Sequence, residues 1–464
     1  PDPPDDPGVD WKVPLAVVGR VVLRRRSRRF ELGRLVVSLT EQVHPERVRP
    51  ERVQRNTLST LVSTQILGGL GVGAAISVNA LLAKTVSGRE DFAGLAQTSA
   101  VLGAAVITMV LASVMDRRGR RPGLTLGYAI GVTGAALSII AGSIGSFPLL
   151  LVGASLLGGT TAANNQSRYA ATDLSAPARR GRDLSTVVWA TTVGSVLGPN
   201  LSGPGKVVAG WFGLPPLTGA YVIAGVGIIA AMIVMTVRLR PDPLLLARAE
   251  AQAVHDASGL AAPVRESGWQ ILRSNRLLQL AATGLALSHA VMVAVMVMTP
   301  VHMDHGHADL EIIGLVISIH ILGMYVFSPV VGRAVDRWGS PRILALGGVT
   351  LLAALALAGT SRAGSSVPLG VGLFLLGVGW SFGTIACSTL VTAASTPRTR
   401  PAIQGVTDLI TGMTAAVGGA VAGVVVGGPG YGALNAISAV FAAVVILTAV
   451  AAGRHTSALA RTDG

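Results

Sequence analysis

Four residues with soft donor atoms stand at helical spacing in two neighbouring apolar stretches. Met292 and Met296 are four positions apart, as are His320 and Met324, so each pair stacks one turn apart along one side of a helix. His289 precedes Met292 by three positions and joins the same face. Thioether sulfur is a soft ligand that selects Cu(I), and imidazole accepts copper in either oxidation state. Such a neutral set also avoids a full ligand charge in hydrocarbon, which is costly. Between His289 and Met324 lie five of the eight histidines and five of the ten methionines of the chain. The loop VHMDHGHAD that follows places His302, Met303, His305 and His307 beside Asp304 and Asp309, a metal-attracting mouth or a polar turn. The plain alternatives are methionine as a filler of irregular gaps between helices and histidine as a hydrogen-bonded interior group.

The elements that must carry these residues follow from composition. Of 464 residues half are apolar, only 13% are charged and 58 are glycine. A soluble domain carries about 25% charged residues, so the balance predicts a polytopic membrane protein. Apolar stretches of the roughly 20 residues that a helix needs to cross a bilayer fall at 57–84, 92–115, 123–145, 148–170, 184–208, 216–238, 277–302, 310–332, 343–361, 367–394, 403–427 and 432–453. That is an all-α membrane protein of twelve transmembrane helices.

Counted at ~1.5 Å per residue from the ends near 302 and 310, Met292 and His320 both lie ~15 Å deep, Met296 ~9 Å and Met324 ~21 Å. The two antiparallel spans would therefore present their donors near the middle of the bilayer.

With both termini cytoplasmic, only Lys84, Arg89, Lys206 and Arg362 of the 37 Lys and Arg fall on the outer side, which predicts that orientation by the positive-inside bias. The same bias accounts for the net charge of +14, so nucleic acid is not an expected partner; the bilayer and the transported ion or molecule are, with the chain a monomer. Cys387 is the only cysteine, which excludes an internal disulfide and reads as packing. No nucleophile elbow, phosphate loop or HExxH pattern occurs, so an enzyme is not expected.

The chain divides into a basic N-terminal extension (1–55), a six-helix bundle (56–238), a cytoplasmic linker (239–276), a second six-helix bundle (277–453) and a tail (454–464). Within the extension, Trp11 to Leu23 predicts an interfacial helix whose Arg24, Arg25, Arg26, Arg28 and Arg29 meet anionic headgroups. The two bundles repeat a motif. ASVMDRRGRRPG at 112–123 and GRAVDRWGSPRI at 332–343 each join the second and third spans of their half and share Asp-Arg-x-Gly. Gly119 and Gly339 serve the bend, Arg117 and Arg337 follow the acids, and Asp116 and Asp336 either cap the next helix or meet positive charge across the interface of the halves.

The duplicated loop, the central linker and the twelve spans together resemble the major facilitator superfamily over residues 56 to 453, departing at Ala112 where that family has glycine. The resemblance implies two bundles rocking about a central site, with access alternating between the two sides. Within it, MVAVM at 292–296 and HILGM at 320–324 resemble the CcoA-like copper importers of bacteria. That likeness implies Met292, Met296, His320 and Met324 as copper-binding residues, with copper as cargo, no resident cofactor, and a bacterial plasma membrane as the location.

Other features support a different cargo. GSVLGPNLSGPG at 194–205 is similar to the glycine-proline element of proton-coupled drug exporters, although Gly198-Pro199 also simply bends a helix. Gln65, Asn164, Asn165 and Gln166 are either cavity wall or helix contacts. Asp408 either pairs with a loop arginine or serves proton coupling, and its place near the cytoplasmic boundary favours the pairing. Copper import is thus the leading expectation, and proton-coupled uptake or efflux of a small organic molecule such as a drug or vitamin is the alternative.

Overall fold

In hydrocarbon every backbone N–H and C=O must be satisfied within its own segment, and a run of apolar residues therefore folds as helix. The computed structural model describes residues 50–89, 92–258, 267–307, 310–362 and 366–462, and these hold sixteen α-helices and no strand. The expected interfacial helix at 11–23 and Asp309 lie outside the described residues.

The first half comprises α1 (Pro50–Ser87), α2 (Ala93–Arg118), α3 (Arg120–Ile144), α4 (Phe147–Ala170), α5 (Arg180–Leu197), α6 (Ser202–Trp211) and α7 (Gly219–Arg238). The linker is partly helical, with α8 (Pro243–Ser258) and α9 (Gly268–Ser274). The second half comprises α10 (Arg276–His305), α11 (Leu310–Tyr325), α12 (Ser328–Trp338), α13 (Ser340–Gly359), α14 (Ser366–Ala393), α15 (Arg400–Gly427) and α16 (Tyr431–Thr462). The first helix starts at Pro50, within the stretch read as extension, and the last runs to Thr462, past the expected end at 453.

Among the described residues eleven segments are long and apolar enough to cross a membrane. The predicted span 184–208 is the exception, because it is broken into α5 and α6 by one 3-10 turn at Pro199–Leu201. Pro199 has no N–H to continue the ladder, and Asn200 Nδ2 donates to the Val196 carbonyl at 2.8 Å beside the break. A second break divides α11 from α12. Pro329 cannot donate to the Tyr325 carbonyl, and the Ser328 hydroxyl donates to it instead.

Helices approach closely where glycine allows. A Cβ on Gly103 of α2 would lie 2.1 Å from the Ser155 carbonyl oxygen of α4, and one on Gly377 of α14 would lie 2.4 Å from that of His320 in α11.

Residues from Glu51 onward form one compact unit with a separate apolar core in each half. The first core gathers Leu61, Leu111, Tyr128, Leu150 and Tyr221, and the second Val295, Leu351, Leu373 and Tyr431. Two smaller clusters cross between the halves. In one, Leu184 and Val188 of α5 meet Val331 and Val335 of α12; in the other, Tyr169 of α4 meets Val391 and Ile403. Both seams lie toward the end of the bundle where the linker sits, hereafter the linker face.

Candidate functional site

The seam at the linker face is built from charge as well as apolar contact. Arg120 Nε donates to Asp173 at 2.7 Å and Arg120 Nη2 reaches Gln404 across the halves at 2.6 Å. From the other half, Arg400 Nη1 donates to the Asp173 carbonyl at 3.2 Å and stands 3.6 Å from its carboxylate. Arg120 and the Asp173 side chain are wholly buried. A buried carboxylate between two guanidiniums is held because an unpaired charge at the same depth would be far more costly.

The duplicated loops contribute unequally to this seam. Both glycines have positive φ, 93° at Gly119 and 85° at Gly339, as the bend requires. Asp336 accepts from the backbone N–H of Gly181 at 2.7 Å and of Arg182 at 2.9 Å, so it caps the start of α5 in the opposite half. Asp116 instead pairs with Arg248 of linker helix α8 at 2.9 Å, and Arg248 also donates to the carbonyls of Pro397 and Arg398. The helix that follows the first loop is capped by linker residue Asp242, which accepts from Arg121 N–H at 2.7 Å. The helix after the first loop is thus capped by the linker, whereas Asp336 caps α5 of the opposite half and not the helix after its own loop. Arg117 and Arg337 are exposed.

Deeper in, Asp408 of α15 joins the halves again. Counted from Arg400 it lies ~12 Å along its helix. Arg168 Nη2 of α4 donates to Asp408 Oδ1 at 2.5 Å, Gln166 Nε2 to Oδ2 at 2.9 Å, and the Tyr169 hydroxyl to Oδ1 at 3.3 Å. The partner expected for Asp408 was a loop arginine; the arginine found belongs to a membrane helix.

The positive charge of Arg168 acts on His289 and Tyr325 in the second half. Those two frame Trp380. Its indole N–H donates to His289 Nδ1 at 2.7 Å, and its ring meets Tyr325 edge-on at 5.5 Å. With Nδ1 accepting, neutral His289 carries its proton on Nε2 and offers it as a donor. Arg168, His289, Trp380 and Tyr325 thus bring a cation, an imidazole and two aromatic rings to the seam between the halves. Of these residues only His289 is expected at a site from sequence. Arg168 was signalled by its position inside the apolar stretch 148–170, where an ionisable residue is a functional candidate by default.

The other expected site residues fall as follows. Met292 and Met324 are buried in the apolar core of the second half, and Met296 packs against that core from a half-buried position. His320 is wholly buried, with Nδ1 donating to the Leu373 carbonyl at 2.8 Å and Nε2 without a hydrogen-bond partner. At the opposite face Met303 is buried, His302 stacks on Tyr431 at 4.2 Å between ring centroids, and His305 and His307 are exposed. Among the described residues no three His, Cys, Asp or Glu side chains gather as a metal site. In the first half, Gln65 donates to Thr191 at 2.8 Å, Asn164 accepts from Tyr128 at 2.9 Å, and Asn165 is exposed. Gln65, Asn164 and Gln166 are thus bonded between helices.

The sequence of each half carries the same family signature. The Major Facilitator Superfamily model matches residues 61–311 and again 282–461. The chain belongs to that superfamily. It is 36% identical to YddS of Bacillus subtilis, an uncharacterised MFS-type transporter, over 86% of this chain and 91% of the relative. It is 30% identical to the riboflavin transporter RfnT of Brucella anthropi over 82% of this chain and 92% of that one. The human organic anion transporter MFSD10 has the same fold, with a TM-score of 0.69 at 17% identity over 85% of this chain and 99% of the other. This protein is accordingly a multi-pass membrane transporter of the major facilitator type. The narrower likeness to copper importers rests on the Met-x-x-x-Met and His-x-x-x-Met elements alone.

Proposed function

We propose that this transporter carries a small, planar, acceptor-rich organic solute across a bacterial membrane, binding it between the halves above the Arg168–Asp408 pair. The reading is carried by the Arg168–Asp408 pair across the seam where alternating access must open and close, with the charge of Arg168 also acting on His289, which Trp380 holds by its indole N–H. A riboflavin transporter among the relatives supports the same class, since a flavin ring offers carbonyl and ring-nitrogen acceptors on a flat face. The solute's acceptors would compete with Asp408 for the guanidinium, so binding and loosening of the linker face are coupled in one exchange. The test is accumulation of radiolabelled riboflavin by cells expressing the wild type, Trp380→Leu and the double variant Arg168→Gln/Asp408→Asn at equal levels. Uptake above empty cells, lost in both variants, is expected; uptake no greater than in empty cells rules out a flavin.

Copper is the second candidate cargo. The lone pair on His320 Nε2 has no hydrogen-bond partner, and Met292 and Met324 belong to the core around it. Imidazole nitrogen and thioether sulfur are donor types that suit Cu(I). Copper accumulation that depends on His320 and Met292, in cells where riboflavin uptake is absent, would favour copper over the organic solute.

A further inference from the structure

On the outer flank of the second half, α12, α13 and α14 enclose a groove of about 440 Å³. Its walls include Phe327, Val330, Ala334, Trp338, Leu346 and Phe374, and its lining is entirely apolar. It opens outward where Val330 is 60% exposed, Trp338 53% and Leu346 45%, while Val331 of its lining is buried at the seam between the halves. It runs beside the break between α11 and α12, where Phe327 stacks edge-on against Phe374 at 5.8 Å.

The end of the groove at the linker face is basic. Arg342 precedes Leu346 by four residues on α13 and so stands one turn nearer the linker face on the same side of that helix. Arg337 follows the lining residue Ala334 by three and adjoins Trp338. Both arginines are exposed. The nearby carboxylate, Asp336, points the other way, both its oxygens being engaged by the backbone N–H groups of Gly181 and Arg182. A tryptophan at the mouth, an apolar channel along the membrane-spanning region and two guanidiniums beyond it match the order of interface, acyl chain and phosphate in a phospholipid.

We propose that this groove is a specific binding site for an anionic phospholipid, one acyl chain lying between α12 and α14 and the headgroup phosphate meeting Arg337 and Arg342. The apolar walls select a chain over any polar solute, and the paired arginines select an anionic headgroup over a zwitterionic one. A chain seated there bears on Phe327 at the helix break and on the helix that delivers Asp336 to the opposite half.

Trp338 reports its own occupancy. The full-length transporter is reconstituted into phosphatidylcholine vesicles containing increasing fractions of brominated phosphatidylglycerol or brominated phosphatidylcholine. The quenching specific to Trp338 is the difference between the wild type and Trp338→Phe. Expected is saturation at a several-fold lower mole fraction of the brominated phosphatidylglycerol than of the brominated phosphatidylcholine. The double variant Arg337→Gln/Arg342→Gln, altered only at exposed positions, should abolish that preference, and Ala334→Phe should lower the quenching by both lipids by filling the groove. Identical curves for the two lipids in the wild type, or a preference that survives the double variant, would overturn the proposal.

Discussion

Arg168 and Asp408 meet at 2.5 Å, one on α4 and the other on α15, 240 positions apart in the chain. Their side chains are 12% and 6% exposed, so the pair is shielded from water and closes the two halves on each other. Removing one partner leaves the other charged and buried, at a cost of about 3–5 kcal/mol. Removing both leaves no orphan charge. Asp408→Asn and Arg168→Gln should each lower folded yield and transport by at least about tenfold, and the double variant should recover folded yield though not transport. Size-exclusion profiles in detergent and uptake assays check the two halves of the statement. A double variant that folds no better than either single would refute the ion-pair account.

The linker holds the first of the duplicated loops through Arg248, which bonds Asp116 at 2.9 Å and the carbonyls of Pro397 and Arg398 at 3.0 and 2.9 Å. Both side chains of the ion pair are partly solvated, so Arg248→Ala should change stability by no more than ~1 kcal/mol. Its effect should fall on the closure of the linker face. The single cysteine, Cys387, is wholly buried in the apolar cluster that joins Leu184 and Val188 of the first half to the second. Maleimide labelling of Cys387 should be several-fold faster in Arg248→Ala than in the wild type at equal thermal stability. Equal rates would mean that the linker does not restrain this face.

The two loop glycines differ in surroundings although their backbones agree. A Cβ on Gly119 would come within 2.6 Å of Asp242, whereas on Gly339 the nearest atom is Pro341 Cδ at 3.9 Å. Gly339→Ala therefore meets backbone strain alone, about 1–3 kcal/mol, and Gly119→Ala adds displacement of the carboxylate that caps α3. Thermal unfolding in detergent should rank Gly119→Ala below Gly339→Ala, with both below the wild type.

Trp380→Phe keeps an aromatic face and removes only the donor to His289 Nδ1. The loss of one hydrogen bond costs about 1 kcal/mol in stability, but it frees the imidazole to change tautomer. Solute affinity should weaken by roughly tenfold while the folded yield is preserved. An unchanged KM in uptake assays would show that the indole N–H does not orient His289 for binding.

Much of the architecture was readable along the chain. Apolar runs of bilayer length had to be helices, because lipid offers backbone groups no other partner. The paired Asp-Arg-x-Gly loops marked the duplication, and Gly119 and Gly339 do adopt the positive φ that the bend demanded. The broken fifth span was signalled by Gly198-Pro199, since a missing N–H interrupts the ladder wherever it stands.

What periodicity could not supply was the partner of each polar group. Asp116 and Asp336 occupy equal places in the repeat, yet one bonds a linker arginine and the other the start of α5. The crowd of methionine and histidine was visible as composition, but only the rotation of α10 and α11 in the bundle puts Met292 and Met324 in an apolar core and His289 against Trp380. Local sequence determined which segments are helical and where they bend, because those terms are set within a few residues. The tertiary structure decided which charges meet, because contacts between helices 91 or 240 positions apart depend on how each helix is turned and how the halves close.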